Sequence, residues 1–177
     1  ILLQQFFMDI AILILLLALH SFLVLGETAL IAAKRTGLES EQAKGNPGAG
    51  TALALLAGKE SFLLTMRVGI SLLTLIEGAF VGVKFGGHLA PVLGNVPIFE
   101  PYAAQLSMAL AIVLAAGCVI AVGELAPKHI AVRHAETLMM ALTPVLRAVA
   151  FIIRPLSFSL NLLTRLILRL FLIKPRE

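Results

Sequence analysis

The sequence has no tryptophan, one tyrosine, one cysteine and few charged side chains. The single cysteine, Cys118, excludes an intrachain disulfide and a metal site built from several thiolates. With Tyr102 as the only tyrosine, an aromatic belt at a membrane surface can be only weakly developed. Charged residues make up 14% of the chain, whereas soluble domains carry about a quarter. This shortage of charge excludes an ordinary water-soluble domain.

Hydrophobic residues make up 59% of the 177 positions, which indicates that lipid solvates much of the molecule. The length suits one domain. The net charge is +4, and the basic residues stand beside apolar runs, which predicts contact with a lipid bilayer and not with nucleic acid. No arrangement of a nucleophile and a base is recognisable, so we do not expect an enzyme.

Three segments are long and apolar enough to cross a membrane, since a spanning helix needs about 20 mostly apolar residues. They are residues 6–33, 62–83 and 102–122, with approximate ends. The first connection is polar and broken by glycine and proline, with a short helix expected on each side. The second, GGHLAPVLGNVPIFEP, predicts an irregular loop. The predicted fold class is an all-α membrane protein with three transmembrane helices per protomer.

The distribution of basic residues predicts the orientation of these helices. Basic side chains surround the first connection and follow the third span, whereas the second connection carries only Lys84, near its start. By the positive-inside rule, the N-terminus lies outside and the C-terminus is cytoplasmic. The residues that decide this are Lys34, Arg35, Lys44, Lys59, Lys128 and Arg133.

The segment 128–173 is apolar enough to suggest further spans, but its charges argue against them. Arginine at the centre of a bilayer costs at least ~3 kcal/mol, and a basic stripe along a helix favours the interface. Pro144 and Pro155 are expected to break the segment into short pieces. We therefore predict juxtamembrane amphipathic helices. The stripe consists of Ser157, Asn161, Arg165 and Arg169, and Arg147 and Arg154 share another face.

The end of the third span contains a proline with a chemical consequence. Pro127 has no amide hydrogen, so it cannot bond the carbonyl four residues earlier, which belongs to Gly123. A freed carbonyl is then expected beside the carboxylate of Glu124, where the helix ends. Broken helices at membrane depth often line cavities, and their carbonyls coordinate cations. Hydroxyls, a carbonyl and one carboxylate are oxygen ligands that suit Mg²⁺.

Hydroxyl groups on the other two spans fall at a compatible depth. Ser21 precedes Gly26, which permits a bend in the first helix. On the second helix, Ser71 and Thr74 share one small, polar face. At ~1.5 Å per residue, both serines and Glu124 could meet in the cytoplasmic half of the bundle.

Each of these polar residues also has a structural alternative. A serine in a membrane helix can bond a carbonyl of its own helix or pack against a neighbour. Glu124 could simply reach the cytoplasmic interface beside the lysine of GELAPK. Glu27 could pair with Arg67, His20 could be a satisfied buried group, and Glu77 could be a charge of the outer vestibule. Taken singly, none of these residues identifies an ion.

In combination, the motifs resemble the transmembrane domain of the CorC/CNNM family of magnesium transporters. The resemblance rests on the segment GETALIAAKRTGLESEQAKGNPGAGTALALLAGKESFLLTMRVGISLLTLIEGAF, followed by GELAPKHIAVRHAE. The most specific parts are Glu27 to Leu30, Val68 to Leu75 and Gly123 to Lys128. The similarity runs from about Phe6 to beyond Arg154, which is most of the chain.

The resemblance implies a homodimer in a membrane, with a bacterial inner membrane expected. It also implies sodium-dependent export of Mg²⁺, with Na⁺ as the coupling ion and a dehydrated Mg²⁺ site between the three helices. Carried over residue by residue, the site corresponds to Ser21, Ser71, Glu124 and the Gly123 carbonyl. Nearby supporting positions are Gly26, Glu27, Thr74 and Pro127.

Family members normally continue into cytoplasmic CBS modules, which the sequence does not contain, so we expect an excised transmembrane domain. Two other functions fit the residues. One is a passive channel for divalent cations, which would need the same oxygen ligands. The other is a membrane anchor and dimerisation platform for cytoplasmic regulatory modules, whose polar residues serve only helix packing.

Overall fold

The computed structural model describes residues 2–98 and 100–170, with side chains described for residues 4–98, 100–160, 162 and 163. Within these residues the regular structure is entirely helical. The helices are α1 (Leu2–Ala32), α2 (Arg35–Ala43), α3 (Pro47–Ala57), α4 (Lys59–Gly94), a 3₁₀ turn (Glu100–Tyr102), α5 (Ala103–Cys118), a π segment (Val119–Leu125), α6 (Ala126–Arg133) and α7 (Ala135–Leu170).

The two short helices predicted in the first connection are confirmed as α2 and α3. Gly45 ends the α2 segment with a φ of 84°, a left-handed conformation that glycine adopts without strain. Asn46 then caps α3, because its side-chain oxygen accepts a hydrogen bond of 3.2 Å from the Gly48 amide, and Pro47 stands in the first turn. At the end of α2, the Lys44 ammonium hydrogen-bonds the Glu41 carboxylate and lowers its pKa.

The second apolar helix is longer than predicted. We expected it to end near residue 83 and to give way to an irregular loop, but α4 continues to Gly94 with Pro91 inside it. The loss of one helical hydrogen bond at Pro91 is tolerated because this part of α4 packs closely on α5. Gly86 allows that approach: a methyl group added to it would lie 2.8 Å from the Met108 Cα.

The third apolar helix also differs from its prediction, since it does not end at Glu124. The helix widens into the π segment, and the chain then continues as α6 to Arg133. The amide of Ala126 donates to the carbonyl of Ala121, five residues earlier. This π register accommodates Pro127 without breaking the helix, because the wider turn absorbs one extra residue.

The C-terminal segment is one long helix, so the expected breaks at Pro144 and Pro155 are wrong. Pro144 deprives the Met140 carbonyl of its helical donor, and this oxygen faces α3. A methyl group added to Gly48 would lie 2.9 Å from it, so α3 packs close against the proline-distorted turn. The predicted basic stripe includes Asn161, Arg165 and Arg169, whose side chains lie outside the described residues.

Helix α1 lies at the centre of the bundle and contacts α4, the π segment, α6 and α7. The buried core lies where these helices cross, and α4 packs most extensively on α5. Large core side chains include Leu23, Leu30, Leu38, Met66, Met139 and Leu146. Many leucine, isoleucine and phenylalanine side chains instead point outward from the bundle, as lipid contact requires.

Four helical stretches are long and apolar enough to cross a bilayer by length and composition: Gln4–Ala32, Lys59–Gly94, Glu100–Arg133 and Ala135–Leu160. The first three contain the predicted spans, and the fourth is the segment predicted to lie in the interface. An all-helical membrane protein is therefore the fold class. The juxtamembrane placement of α7 and the orientation of the termini stay predictions.

Candidate functional site

The π segment presents a backbone oxygen to α1. The Ala126–Ala121 hydrogen bond sets a π register, in which an amide hydrogen at residue 127 would pair with the carbonyl of Val122. Pro127 has no amide hydrogen, so it cannot make this bond. The Ser21 hydroxyl lies 3.1 Å from that Val122 oxygen and 2.8 Å from the carbonyl of Leu17. The carbonyl made available by Pro127 is thus displaced by one residue from the Gly123 carbonyl expected for an α-helix.

Gly123 permits the close approach of the π segment to α1. It is buried, and a methyl group added to it would lie 3.2 Å from the Leu17 Cδ1 and 3.7 Å from the His20 Cδ2. A larger side chain here would push the two helices apart. The role of its own carbonyl as a ligand stays a prediction.

Glu124 faces a cavity between α4 and the third apolar helix. The cavity has a volume of about 360 Å³, and Thr74 and Glu77 line it together with Glu124. The half-buried Glu124 carboxylate accepts a hydrogen bond of 2.8 Å from the ammonium of Lys128, one helical turn later. Glu124 is therefore held by a neighbouring cation at one side and open to the cavity at the other.

The other predicted residues lie around this centre without joining into one cluster. Ser21 lines a separate groove of about 260 Å³ against Val122 and Pro127. Ser71 is exposed on α4 and makes no hydrogen bond to any described residue. Thr74 donates to the Ile70 carbonyl of its own helix at 3.0 Å, as the structural alternative for membrane hydroxyls expected. The structure brings Ser21 to the π segment but leaves Ser71 apart from both.

A buried hydrogen bond between His20 and Glu77 links α1 to α4 beside this cavity. The His20 Nδ1 lies 2.9 Å from the Glu77 Oε2, and the two side chains are only 0% and 1% exposed. The expectation that Glu77 is an outer-vestibule charge is wrong, because its carboxylate is enclosed by the helices. The 57-residue separation explains why sequence spacing could not pair them. The available signal was two ionisable groups in apolar spans, which must find partners.

One further polar pair and one close glycine contact fix the helices around the site. Arg67 donates to Glu27 at 3.1 Å, so the pairing considered for Glu27 is confirmed. Gly26 lies under Leu146 of α7, whose methyl groups would overlap a Cβ at this position. Helix α1 is continuous through Gly26. This glycine serves close packing of α1 against α7.

A third group of charges lies toward the start of α1. Asp9 is 2% exposed, with Lys84 Nζ at 3.6 Å and His88 Nε2 at 3.9 Å. The His88 ring also packs edge-on against Phe6 and Phe85. These charges lie on the same two helices as the His20–Glu77 pair, with Asp9 and His88 about three turns from it and Lys84 about two turns from it.

Among residues 2–98 and 100–170, no group of three or more histidine, cysteine, aspartate or glutamate side chains could hold a metal ion. A cation site in this region would need hydroxyl and carbonyl oxygens besides one or two carboxylates. The oxygens around the π segment are of that kind, and they are hard ligands suited to Mg²⁺ or Na⁺ and unsuited to soft metals.

Comparison with known proteins gives the family. Residues 11–177 match the family described as CNNM, cyclin M transmembrane N-terminal domain. The UPF0053 protein sll0260 of Synechocystis sp. is 34% identical over 151 residues, which cover 85% of this chain and 34% of that protein. The UPF0053 protein YhdT of Bacillus subtilis is 29% identical over 160 residues, covering 90% of this chain and 35% of the relative. The chain thus spans about a third of the length of these relatives. This chain is a multi-pass membrane domain that belongs to the CNNM family.

Proposed function

We propose that this domain transports Mg²⁺ across the membrane, as a Na⁺-dependent exporter. The observation that carries the proposal is the π segment, where Pro127 removes the backbone donor of the Val122 carbonyl beside the Ser21 hydroxyl, two residues before Glu124 in the chain. The lost backbone hydrogen bond costs stability inside an apolar helix. π turns within helices are frequent at functional sites, and unpaired carbonyls at membrane depth are typical of cation pathways.

The proposed Mg²⁺ ligands are Ser21, Ser71, Glu124 and a carbonyl of the π segment, that of Gly123 or of Val122. The Ser21 hydroxyl has one hydrogen, which it directs to a carbonyl, so its lone pairs are free to face a cation. One carboxylate with neutral oxygens is a suitable set for Mg²⁺, which prefers few carboxylates in near-octahedral geometry. Thr74, Glu27 and Pro127 support the ligands from the same helices, and Gly26 supports them through packing.

Two rearrangements belong to the proposed transport cycle. Lys128 must release Glu124, because its ammonium occupies the carboxylate that Mg²⁺ would bind. Ser71, which is exposed on α4, must turn or move toward the α1–π junction. The first is a side-chain movement, and the second belongs to the shifts of packed helices by which transporters alternate access.

The complete transporter is proposed to be a homodimer in a bacterial inner membrane, with CBS modules in its cytoplasmic part. The N-terminus would lie outside, because basic side chains stand at one end of the bundle, around α2, α3 and α6. Lipid or a second protomer would cover the exposed apolar side chains of α4 and α5, such as Leu75 and Val113.

Reconstitution into liposomes tests this function. The protein is placed in vesicles that contain Mg²⁺ and a Mg²⁺-sensitive dye. Na⁺ added outside these vesicles sets up an inward Na⁺ gradient, which should drive Mg²⁺ out. Glu124→Gln should abolish that flux while the protein still folds and inserts. Equal flux with choline in place of Na⁺ would indicate the passive channel instead. Absence of Mg²⁺ flux in the wild-type protein under both conditions would refute transport and favour the anchor function.

A further inference from the structure

The Glu77 carboxylate has one oxygen held and one oxygen free. Its Oε2 lies 2.9 Å from the His20 Nδ1, and an ionised carboxylate can only accept, so the imidazole donates. Its Oε1 is buried and has no hydrogen-bond partner among the described residues. Buried polar atoms without a partner are rare, and an ion or water is a common reason for one. The free oxygen therefore points to a bound group.

The cavity next to Glu77 has room for such a group. It holds about 360 Å³ between α4 and the third apolar helix, and most of its wall is apolar, including Val81, Ile112 and Ala115. Its other oxygen-bearing side chains are Thr74 and Glu124. The Thr74 hydroxyl directs its hydrogen to Ile70, so its lone pairs can face the cavity. In this apolar surrounding, a carboxylate oxygen attracts a cation far more strongly than it would in water.

We propose that this cavity is a Na⁺ site, with the Glu77 Oε1 as its charged ligand and Thr74 as a neutral one. The identity of the ion rests on the proposed Na⁺-dependent function. A monovalent cation fits because one free carboxylate oxygen balances its charge. Mg²⁺ fits poorly, because it requires near-octahedral geometry and retains water that apolar walls cannot hydrogen-bond. His20 is a positioning residue that holds the carboxylate in place.

The shared cavity wall explains how the two ions could be coupled. Glu124 belongs to the proposed Mg²⁺ ligands and also faces the Na⁺ cavity. A cation beside Glu77 would repel Mg²⁺ and compete for Glu124, so Na⁺ should weaken Mg²⁺ binding. By linkage, Mg²⁺ must weaken Na⁺ binding by the same factor. Mutual exclusion of this kind is what an exchanger requires.

The experiment measures Mg²⁺ affinity of the purified protein by calorimetry, in NaCl and in choline chloride of equal ionic strength. Wild-type protein should bind Mg²⁺ several-fold more weakly in NaCl. Glu77→Gln keeps an acceptor for His20 but removes the charge, and we expect it to lose the Na⁺ effect while binding Mg²⁺ normally in choline. The Thr74→Val protein should need about tenfold more Na⁺ than the wild-type protein for the same weakening of Mg²⁺ binding.

Asp9→Asn is the control, because Asp9 is also a buried carboxylate with an oxygen that accepts no hydrogen bond, but it faces Lys84 and lies outside this cavity. It should retain the full Na⁺ effect. A Glu77→Gln protein that responds to Na⁺ as Asp9→Asn does would overturn the site. If Glu77→Gln does not fold, an unchanged Na⁺ response of Thr74→Val overturns it equally.

Failure of the proposed function would look different. In that case the wild-type protein binds no Mg²⁺ in either salt, and the Na⁺ site is tested alone through thermal stabilisation by NaCl relative to choline chloride. Stabilisation that disappears in Glu77→Gln and persists in Asp9→Asn supports the cavity site without any transport. No difference between the two salts in wild-type protein overturns it.

Discussion

Two adjacent glycines on α4 allow a sharp test of the helix packing that encloses the cavity. A methyl group at Gly86 would lie 2.8 Å from the Cα of Met108 and 3.2 Å from its amide nitrogen. These are backbone atoms of α5, which cannot turn aside as a side chain could. A methyl group at Gly87 meets nothing within 4 Å. Both positions are helical, so the two substitutions to alanine differ mainly in this contact.

The magnitudes follow from two opposing effects. Alanine in place of glycine within a helix stabilises by about 0.5–1 kcal/mol. Overpacking against a close neighbour costs about 1–3 kcal/mol. We therefore expect Gly87→Ala to raise the free energy of unfolding and Gly86→Ala to lower it. Because the helix-propensity gain is common to both variants, they differ by the overpacking cost of about 1–3 kcal/mol, which corresponds to about 2–12 °C in the midpoint for a chain of this length.

Thermal unfolding followed by far-ultraviolet circular dichroism in detergent measures this difference. Gly86→Ala should melt below the wild-type protein and Gly87→Ala at or above it. Both variants should keep the wild-type helix content at low temperature. Equal midpoints for the two variants would refute the close crossing of α4 and α5 near Met108.

Two other predictions concern the ligand Glu124 and the proline turn of α7. Lys128→Gln removes the ammonium that competes with Mg²⁺ for Glu124. Because the Lys128–Glu124 pair is partly exposed, its loss should raise Mg²⁺ affinity by at most about fivefold. Weaker Mg²⁺ binding in a calorimetric titration would contradict this competition. Gly48→Ala places a methyl group 2.9 Å from the Met140 carbonyl oxygen and should destabilise by about 1–3 kcal/mol. Gly117→Ala, whose methyl group meets nothing, is its control in thermal unfolding, and equal midpoints would argue against the α3–α7 contact.

The apolar spans were predictable because bilayer thickness and composition set them directly. The ends of these helices were less predictable, because proline in a sequence predicts the end of a helix. Pro91, Pro144 and Pro155 all lie inside helices. Near Pro91 and at the Pro144 turn, close packing on a neighbouring helix outweighs the loss of one hydrogen bond. The glycines that allow this packing, Gly86 and Gly48, contact residues far away in sequence.

The centre of the site was predictable in its chemistry but not in its register. Pro127 predicts a freed carbonyl beside Glu124, in a turn that has π register in the structure. The π turn shifts it to Val122, because the register depends on how α1 packs against the third helix. The His20–Glu77 pair joins residues 57 positions apart, and only the crossing of α1 and α4 brings them together.

The most direct test of the proposed transport function is Mg²⁺ binding to the purified protein, measured by calorimetry in choline chloride. The wild-type protein should show saturable binding, and so should the control Glu100→Gln, whose exposed carboxylate lies in the 3₁₀ turn away from the cavity. Glu124→Gln and Ser71→Ala should lose that binding and keep their helix content. Saturable binding of equal affinity in all four proteins would contradict a Mg²⁺ site at Glu124.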